Sequence, residues 1–588
     1  MTQLYRRTGV LSLFALLVTL PGCVSGEGVD STGTTAAMTK SWPHGALVTA
    51  ANPYAVDTAV QILESGGSAV DAAIAAHLVL GLVEPQSSGI GGGAFLLSYQ
   101  HETNTMVAFD GRETAPAGAT PDMFMDGGKV LGFRDAWQSG IAIGTPGAVA
   151  MYKLAHDTHG VLPWADLFAP AIQLANDGFT VSPRLNNLLT RIKRFSQLDE
   201  LPQSAAYFYP DDEPLAVGAV RDNAPYAALL ARIASEGPDA FYRGDVAKSI
   251  STAATSAPLP GTLSMRDLEN YQAVARTPIC GEFRDMTMCT MPPPSSGLAQ
   301  IMIAGLYDRF IPDDGQASDA ESLRAFVDAQ RLAYADRDHF VGDPAYADVP
   351  TRALVDQRYL DVRATERFAP DQSSMHGDPS AALAQAAGRW TFGTDTTDER
   401  GGTTHLSIID ANGNAISMTA TVEAPFGSSR FVHGFLLNNE MTDFARDPGK
   451  GDAPANLVGP GKRSRSSMSP IIVFDDNGQL LLVSGSPGGN SIVAYVAKTT
   501  LGILARGQSV EAAIAAPNIV ARGDKVRVEV TDDAGKEAAR ILAEAGYDVV
   551  ERDGENSGLH TILVTSDGLE GGADPRREGV VRQPAARP

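Results

Sequence analysis

The sequence predicts an α+β fold, and three features carry that prediction. Two strand pairs are built around Asn-Gly turns: TTHLSIIDANGNAISMTATV turns at Asn412-Gly413 and SPIIVFDDNGQLLLVSG turns at Asn477-Gly478, each with apolar alternation on both sides of the turn. Between about 145 and 390 the pattern is helical instead, as in AVAMYKLAHDTHG and SLRAFVDAQRLAYADRDHF, where apolar residues recur at a period near 3.6. No internal repeat or break in composition falls inside 43–575. Strands and helices therefore belong to one large interwoven domain, antiparallel sheets covered by helical layers.

Taken in order, residues 1–22 read as an export signal. Arg6 and Arg7 precede an apolar run from Gly9 to Leu20, which is shorter than the ~20 residues a membrane span needs. The run ends in Leu20-Pro21-Gly22-Cys23, which resembles a bacterial lipobox with Pro21 as an atypical member. Lipidation at Cys23 would anchor the protein to the outer membrane, and plain secretion would leave it in the periplasm; both place it outside the cytoplasm. Residues 23–42 read as a flexible tether, rich in Gly, Ser and Thr from 26 onward. The fold starts near Pro43. Asn52-Pro53 starts a helix that stops at Gly66-Gly67, and Ser68 starts a second whose many alanines suit burial between layers. In RTPICGEFRDMTMCTM a two-residue turn at Arg284-Asp285 sets Cys280 opposite Cys289, where either a cross-strand disulfide or two small buried thiols would fit. The C-terminal VRVEVTDDAGKEAARILAEAGYDVV reads as strand, helix, strand and is expected to complete the same unit.

Composition excludes several functions. Across 588 residues, 46 Lys and Arg face 69 Asp and Glu, a formal charge of -23, which repels nucleic-acid phosphates and anionic lipid. Three cysteines make no disulfide framework, and no Cys/His pair has zinc spacing. Gly89-Ile90-Gly91-Gly92-Gly93-Ala94 lies after a helix and before a strand, the reverse of a dinucleotide loop. Asp410 to Thr421 begins like a calcium loop but ends in Thr421, not the bidentate Glu such a loop requires. Asp336, Asp338 and His339 read as the solvated face of an amphipathic helix. Neither metal nor cofactor is expected.

A dense series of motifs remains: Gly401-Gly402-Thr403-Thr404-His405, Leu437 to Phe444 (LNNEMTDF), Ser466-Ser467-Met468-Ser469-Pro470 and Gly485-Ser486-Pro487-Gly488-Gly489, with Asp110-Gly111-Arg112-Glu113 upstream and Gly572 to Arg576 (GADPR) late. In this order, from about 45 to 580, the sequence resembles the gamma-glutamyltranspeptidases (gamma-glutamyltransferases), members of the N-terminal nucleophile hydrolases. The resemblance implies a four-layer αββα sandwich, made as a precursor that cuts itself at Gly402-Thr403 into a large chain of 43–402 and a small chain of 403–588, intertwined as a heterodimer. A free α-amino group on Thr403 would then be the base its hydroxyl needs. The resemblance further implies that Thr421 hydrogen-bonds that hydroxyl and that the N-H groups of Gly488 and Gly489 receive the oxyanion. Arg112, Ser466 and Ser467 would hold the substrate α-carboxylate, and Glu440 and Asp443 the α-ammonium.

Hairpin arithmetic bears on the same residues. With a three-residue loop and Gly413 in a left-handed bulge position, residues whose numbers sum to 824 face each other, so Thr403 lies opposite Thr421 with Glu423 on the same face two residues on. A two-residue loop would shift the register, and the residues alone do not choose between them; the role implied for Thr421 favours the first. Glu423 stands where many family members carry Asn, adding negative charge near the ammonium pocket. The stretch 445–465 contains no Tyr, Phe or Trp and is shorter than an aromatic-bearing lid, so an open site that admits larger substrates is expected. The expected function is exported γ-glutamyl transfer and hydrolysis, from glutathione or related compounds to water, an amino acid or a peptide. The alternatives are a cephalosporin or glutaryl-amide acylase of the same superfamily, and an unprocessed lipoprotein that only binds γ-glutamyl ligands.

Overall fold

The computed structural model describes residues 42–311, 317–383, 390–395, 397–449 and 451–585. The export signal, Cys23 and all of the tether except Trp42 lie outside them. Strand β1 (Leu47–Ala50) leads into helices α1 (Pro53–Glu64) and α2 (Ala69–Val83), then strands β2 (Gly93–Gln100) and β3 (Thr105–Asp110). The Asn52 side chain caps α1, and Ser68 with Asp71 forms a capping box at α2, each satisfying otherwise orphaned helix N-H groups. The helical region supplies α3 (Ala148–His159) and α4 (Pro183–Ile192), then β4 (Val274–Arg276), β5 (Ile279–Phe283) and β6 (Met286–Thr290), then α5 (Leu298–Phe310) and α6 (Asp319–Phe340). After it come β7 (Gly402–Ile409), β8 (Ala415–Glu423), β9 (Ile471–Phe474), β10 (Leu480–Gly485), α7 (Ile492–Leu504), β11 (Ile519–Arg522), β12 (Lys525–Glu529), α8 (Asp533–Glu544), β13 (Asp548–Arg552), β14 (His560–Thr565), β15 (Gly568–Ala573) and β16 (Val580–Arg582).

The strands form two large antiparallel sheets, ordered β16-β1-β7-β8-β2-β3-β4 and β15-β14-β10-β9-β6-β5. Helix α2, apolar and buried on nearly all sides, packs with α1 on the first sheet through Leu406, Ile408, Ile416 and Met418. Helices α5 and α7 cover the second through Ile471, Val473 and Leu482. Layers therefore run helix, sheet, sheet, helix, the expected αββα order. Between the sheets lies a row of polar side chains. Ser407 Oγ donates to the His560 carbonyl (2.9 Å) and Ser417 Oγ donates to the Ser484 carbonyl (2.9 Å). The His405 ring fits because residue 485 is glycine: a Cβ there would come within 2.3 Å of it. Burial holds His405 and His560 well below the usual histidine range, so this layer is polar and uncharged.

Cys280 faces Cys289 across the Arg284-Asp285 turn, Cα to Cα 4.1 Å, and the two are joined as a disulfide. Trp42, the last residue of the expected tether, packs its indole over Gly413 and donates to the Gly45 carbonyl (2.8 Å). One expectation fails here. The C-terminal strand, helix and strand do not complete the main sheets: β11, β12 and β13 form their own three-stranded sheet. The local pattern specifies a strand's existence but not its neighbour, which non-local pairing decides. Among the described residues no helix is long and apolar enough to cross a membrane.

Candidate active site

The β7-β8 hairpin takes the three-residue-loop register. Thr403 lies opposite Thr421, Thr404 opposite Ala420, and so on to Ile409 opposite Ala415. Gly413 has φ +81°, and the Asp410 carboxylate accepts from the Asn412 and Asn414 N-H groups (2.9 and 3.0 Å) and from the first turn of α2 at Ala69 (3.1 Å). The turn is thus bound to the helix layer, and slippage by one residue would break all three bonds. At the other end the register shifts between Gly402 and Thr403, a bulge at the peptide bond where cutting is expected.

Around that bond three oxygens converge. Thr421 Oγ1 donates to the Gly402 carbonyl (2.9 Å), lies 3.2 Å from Thr403 Oγ1 and accepts from the Glu423 N-H (2.8 Å). A hydroxyl has a single proton, so with Thr421's committed to Gly402, Thr403 is the donor of its pair. The chain of bonds runs from the Thr403 hydroxyl through Thr421 to the carbonyl of the bond in question. Glu423 sits at the bulge with φ +76°, and its carboxylate accepts from the Arg400 N-H (3.1 Å) and from Asn439 Nδ2. Burial, reinforced by Asp443, pushes its carboxyl well above the usual range.

Thr403 is only 3% exposed. In this uncut chain Thr403 is enclosed, and the segment just upstream lies against the glycine pair. Gly488 and Gly489 have φ of +139° and +57°, conformations that favour glycine, and a Cβ on Gly489 would come within 2.4 Å of the Glu399 carbonyl. The backbone of 399–401 lies directly on the glycine pair. Two groups that the motifs did not mark complete the wall. Arg577 Nη1 donates to the Thr403 carbonyl (2.8 Å) and Asn556 Nδ2 to the Gly401 carbonyl (3.3 Å). Burial lowers the Arg577 guanidinium to about 9. Arg577 directly follows the GADPR motif, but nothing in the spacing points it at residue 403.

The proposed recognition residues are brought together, though in contact with each other. Arg112 is fully buried; it pairs with Glu440 and, at 2.7 Å, with Asp443, and it donates to the Ser464 and Arg465 carbonyls (3.2 and 2.8 Å). Glu113 lies 3.7 Å away. Burial pushes the Glu440 and Asp443 carboxyls well above the usual range, with Arg112 opposing and neighbouring carboxylates adding to the rise. One oxygen of each, Glu440 Oε2 and Asp443 Oδ1, has no hydrogen-bond partner. Ser466 follows the carbonyls that hold Arg112, and its Oγ accepts from the Met468 N-H (3.2 Å). Ser467 is occupied: its hydroxyl accepts from Arg337 Nη2 (2.7 Å) and its N-H donates to Glu399 (2.9 Å).

Arg337 and Glu399 lead to a second correction. Asp336, Asp338 and His339 are not a solvated face. Asp336 is fully buried against Arg363 (3.1 Å) and the Tyr359 hydroxyl (2.7 Å), Asp338 pairs with Arg337 (2.7 Å) and Arg522 (2.8 Å), and His339 stacks on His376. Arg363, Tyr359, Arg522 and His376 come from outside α6, which helical spacing cannot register. Among the described residues no group of three or more His, Cys, Asp or Glu side chains is placed to hold a metal ion.

Known proteins resemble this chain in sequence and fold. The profile of the Gamma-glutamyltranspeptidase family matches residues 55–583. A glutathione hydrolase proenzyme of Escherichia coli strain K12 is 36% identical over 543 residues, 90% of each chain. One from Bacillus subtilis strain 168 is 35% identical over 482 residues, 80% of each. Among solved structures, cephalosporin acylase from Bacillus halodurans superposes with a TM-score of 0.79 at 24% identity over 92% of this chain and 98% of its own, a likeness of fold. Helicobacter pylori gamma-glutamyltranspeptidase superposes with a TM-score of 0.51 at 30% identity, over 54% of this chain and 90% of its own. The family profile spans nearly the whole described domain, and the chain belongs to the gamma-glutamyltranspeptidase family.

Proposed function

We propose that the protein is an exported, self-processing γ-glutamyl transferase and hydrolase, with glutathione and related γ-glutamyl compounds as donors and water, amino acids or peptides as acceptors. The observation that carries the reading is the array Thr403, Thr421 and Gly402 at the bulge. Thr421 polarises the Gly402 carbonyl while the Thr403 hydroxyl stands beside it. Attack by Thr403 Oγ1 on that carbonyl forms an ester as the peptide C-N bond breaks and the nitrogen takes the proton. Water then hydrolyses the ester, leaving a Gly402 carboxylate and a free Thr403 amine. In the mature enzyme this amine takes the hydroxyl proton as Thr403 attacks a γ-amide, and it returns the proton to the departing amine. Gly488 and Gly489 serve the oxyanion once the 399–401 segment has moved off them.

The cluster of one arginine and several carboxylates suits an amino-acid head group: Arg112 for the carboxylate, Glu440, Asp443 and Glu423 for the ammonium, Ser466 and Ser467 as further donors. A glutaryl substrate without the ammonium would leave that negative charge uncompensated, which weighs against the acylase alternative. The disulfide Cys280–Cys289 suits an oxidising compartment, in keeping with export and either lipidation at Cys23 or release. Thr403→Ala is expected to remain one full-length, inactive chain, and two normal chains from it would refute the nucleophile. Wild-type enzyme should release an aniline from the γ-glutamyl anilide faster than from the des-amino glutaryl anilide. The opposite preference would make it an acylase.

A further inference from the structure

A cleft of about 780 Å³ ends beside the scissile bond, and its charge is opposite to that of the whole protein. Six arginines line it, Arg184, Arg191, Arg400, Arg527, Arg552 and Arg576, against two acids, Asp553 and Glu555, in a chain of formal charge -23. One wall is a single face of α4: Arg184, Asn187, Leu188 and Arg191 follow the i, i+3, i+4, i+7 spacing. The opposite wall is Arg527 on β12 and the loop after β13. The inner end holds Arg400, Pro425 and Asn556, and Asn556 is the residue that binds the Gly401 carbonyl.

Three of these arginines have partners within the chain. Arg576 is bound by Glu529 (2.6 Å) and Asp574 (3.1 Å), Arg527 by Glu555 (3.4 Å) and Arg400 by Asp398 (3.2 Å). Arg191 and Arg552 are exposed and have no ion pair among the described residues. Arg184 Nη1 is buried with no hydrogen-bond partner; the buried Glu84 carboxyl lies near it, and Glu578 accepts from the Arg184 backbone N-H (3.0 Å). A second cavity of about 330 Å³ shares Arg527 and Arg552 and adds Arg522 and Lys525, with Asp398 as the acid in its lining. Unpaired guanidinium groups converging on an open cleft attract anions, and carboxylates match their fork bidentately.

We propose that this cleft binds the carboxylates of acidic, peptide-like substrates, so that the enzyme favours γ-glutamyl compounds whose remaining portion carries two or more negative charges. The inference rests on the γ-glutamyl reading above and adds the part of the substrate beyond the scissile amide. The test compares kcat/KM of the mature enzyme for γ-Glu-Glu-Glu and γ-Glu-Gln-Gln, read as a ratio within each enzyme. Wild type should prefer the acidic peptide about tenfold at low ionic strength, less at high salt. The ratio should fall toward one in Arg191→Ser/Arg552→Ser and be retained in Arg191→Lys/Arg552→Lys. Equal rates on the two peptides in wild type, or an unchanged ratio in the serine variant, would overturn the cleft's role. A wild-type enzyme that cleaves the γ-glutamyl anilide yet shows no acidic preference defeats this inference alone. One that leaves the anilide and both peptides intact defeats the γ-glutamyl reading and this inference with it.

Discussion

Arg112 and Arg337 are both fully buried and both gripped by carboxylates, but their surroundings are charged differently. Around Arg337 the charges balance: Arg337, Arg465 and Arg522 interlock with Asp338, Asp395 and Glu399. Burial by itself would raise the Asp338 and Glu399 carboxyls, yet the arginines outweigh it and hold both below the usual range. Around Arg112 a single cation serves Glu113, Glu440 and Asp443, with Glu423 close to Asp443. All four carboxyls are pushed up, Glu113 to about 7. The balanced cluster is complete in itself and ties Glu399, three residues before the bond, to α6. The unbalanced cluster has a deficit that an ammonium group would fill. Buried charge without a matching partner marks a place for a ligand more readily than buried charge as such.

The comparison can be broken most forcefully from the balanced side. Glu399→Ala in the uncut Thr403→Ala chain leaves the buried Arg337 and Arg465 with only Asp338 and Asp395 and the cluster with one uncompensated positive charge, and should lower stability by about 3–5 kcal/mol, read from urea unfolding. A loss no larger than the ~1 kcal/mol of an exposed pair would show that the cluster holds nothing together. Arg112→Gln should act on catalysis more than on folding. The expected loss in kcat/KM is about 100-fold, and its stability cost should be smaller at about pH 5 than at about pH 8, because the carboxylates left behind can take up protons. Equal costs at the two pH values would mean these carboxyls are not raised.

The smallest effect concerns Glu113. Its folded-state carboxyl titrates above its unfolded one, so its contribution is fully present below the unfolded value near 4.5 and is lost as pH rises through about 7. Asp338 and Glu399 run the other way, contributing above the ordinary carboxylate range and losing it in acid. Glu113→Gln should therefore flatten the fall in melting temperature between about pH 5 and about pH 8, and leave acid unfolding below about pH 4 unchanged. An unaltered slope between pH 5 and 8 would remove Glu113 from the unbalanced cluster.

Much of the catalytic hairpin was legible because its information is local. The Asn-Gly turn and the apolar alternation mark the two strands but allow two registers; the Asp410 bonds to Asn412, Asn414 and Ala69 accompany the one that sets Thr403 against Thr421, and the two-residue turn at Arg284-Asp285 sets Cys280 opposite Cys289. The recognition residues were legible as motifs but not as contacts: nothing in LNNEMTDF says that Glu440 and Asp443 close on Arg112 before cutting, or that Ser467 is held by Arg337. Asp336, Asp338 and His339 were misread because helical periodicity weighs one helix alone, whereas Arg363 and Arg522 arrive from elsewhere. Arg577 and Asn556 carried no signal at all.

The sequence by itself determined which segments are helices and strands, where the polypeptide turns, and which residue types could attack an amide and stabilise an oxyanion, since these depend on dihedral preference, periodicity and side-chain chemistry within a few residues. Only the tertiary structure decided that β11 to β13 stand apart as their own sheet, that 399–401 cover the glycine pair, and that one buried arginine cluster is balanced while the other is not. Such outcomes depend on which distant groups share a low-dielectric interior, and burial acts on charges through space, not along the chain.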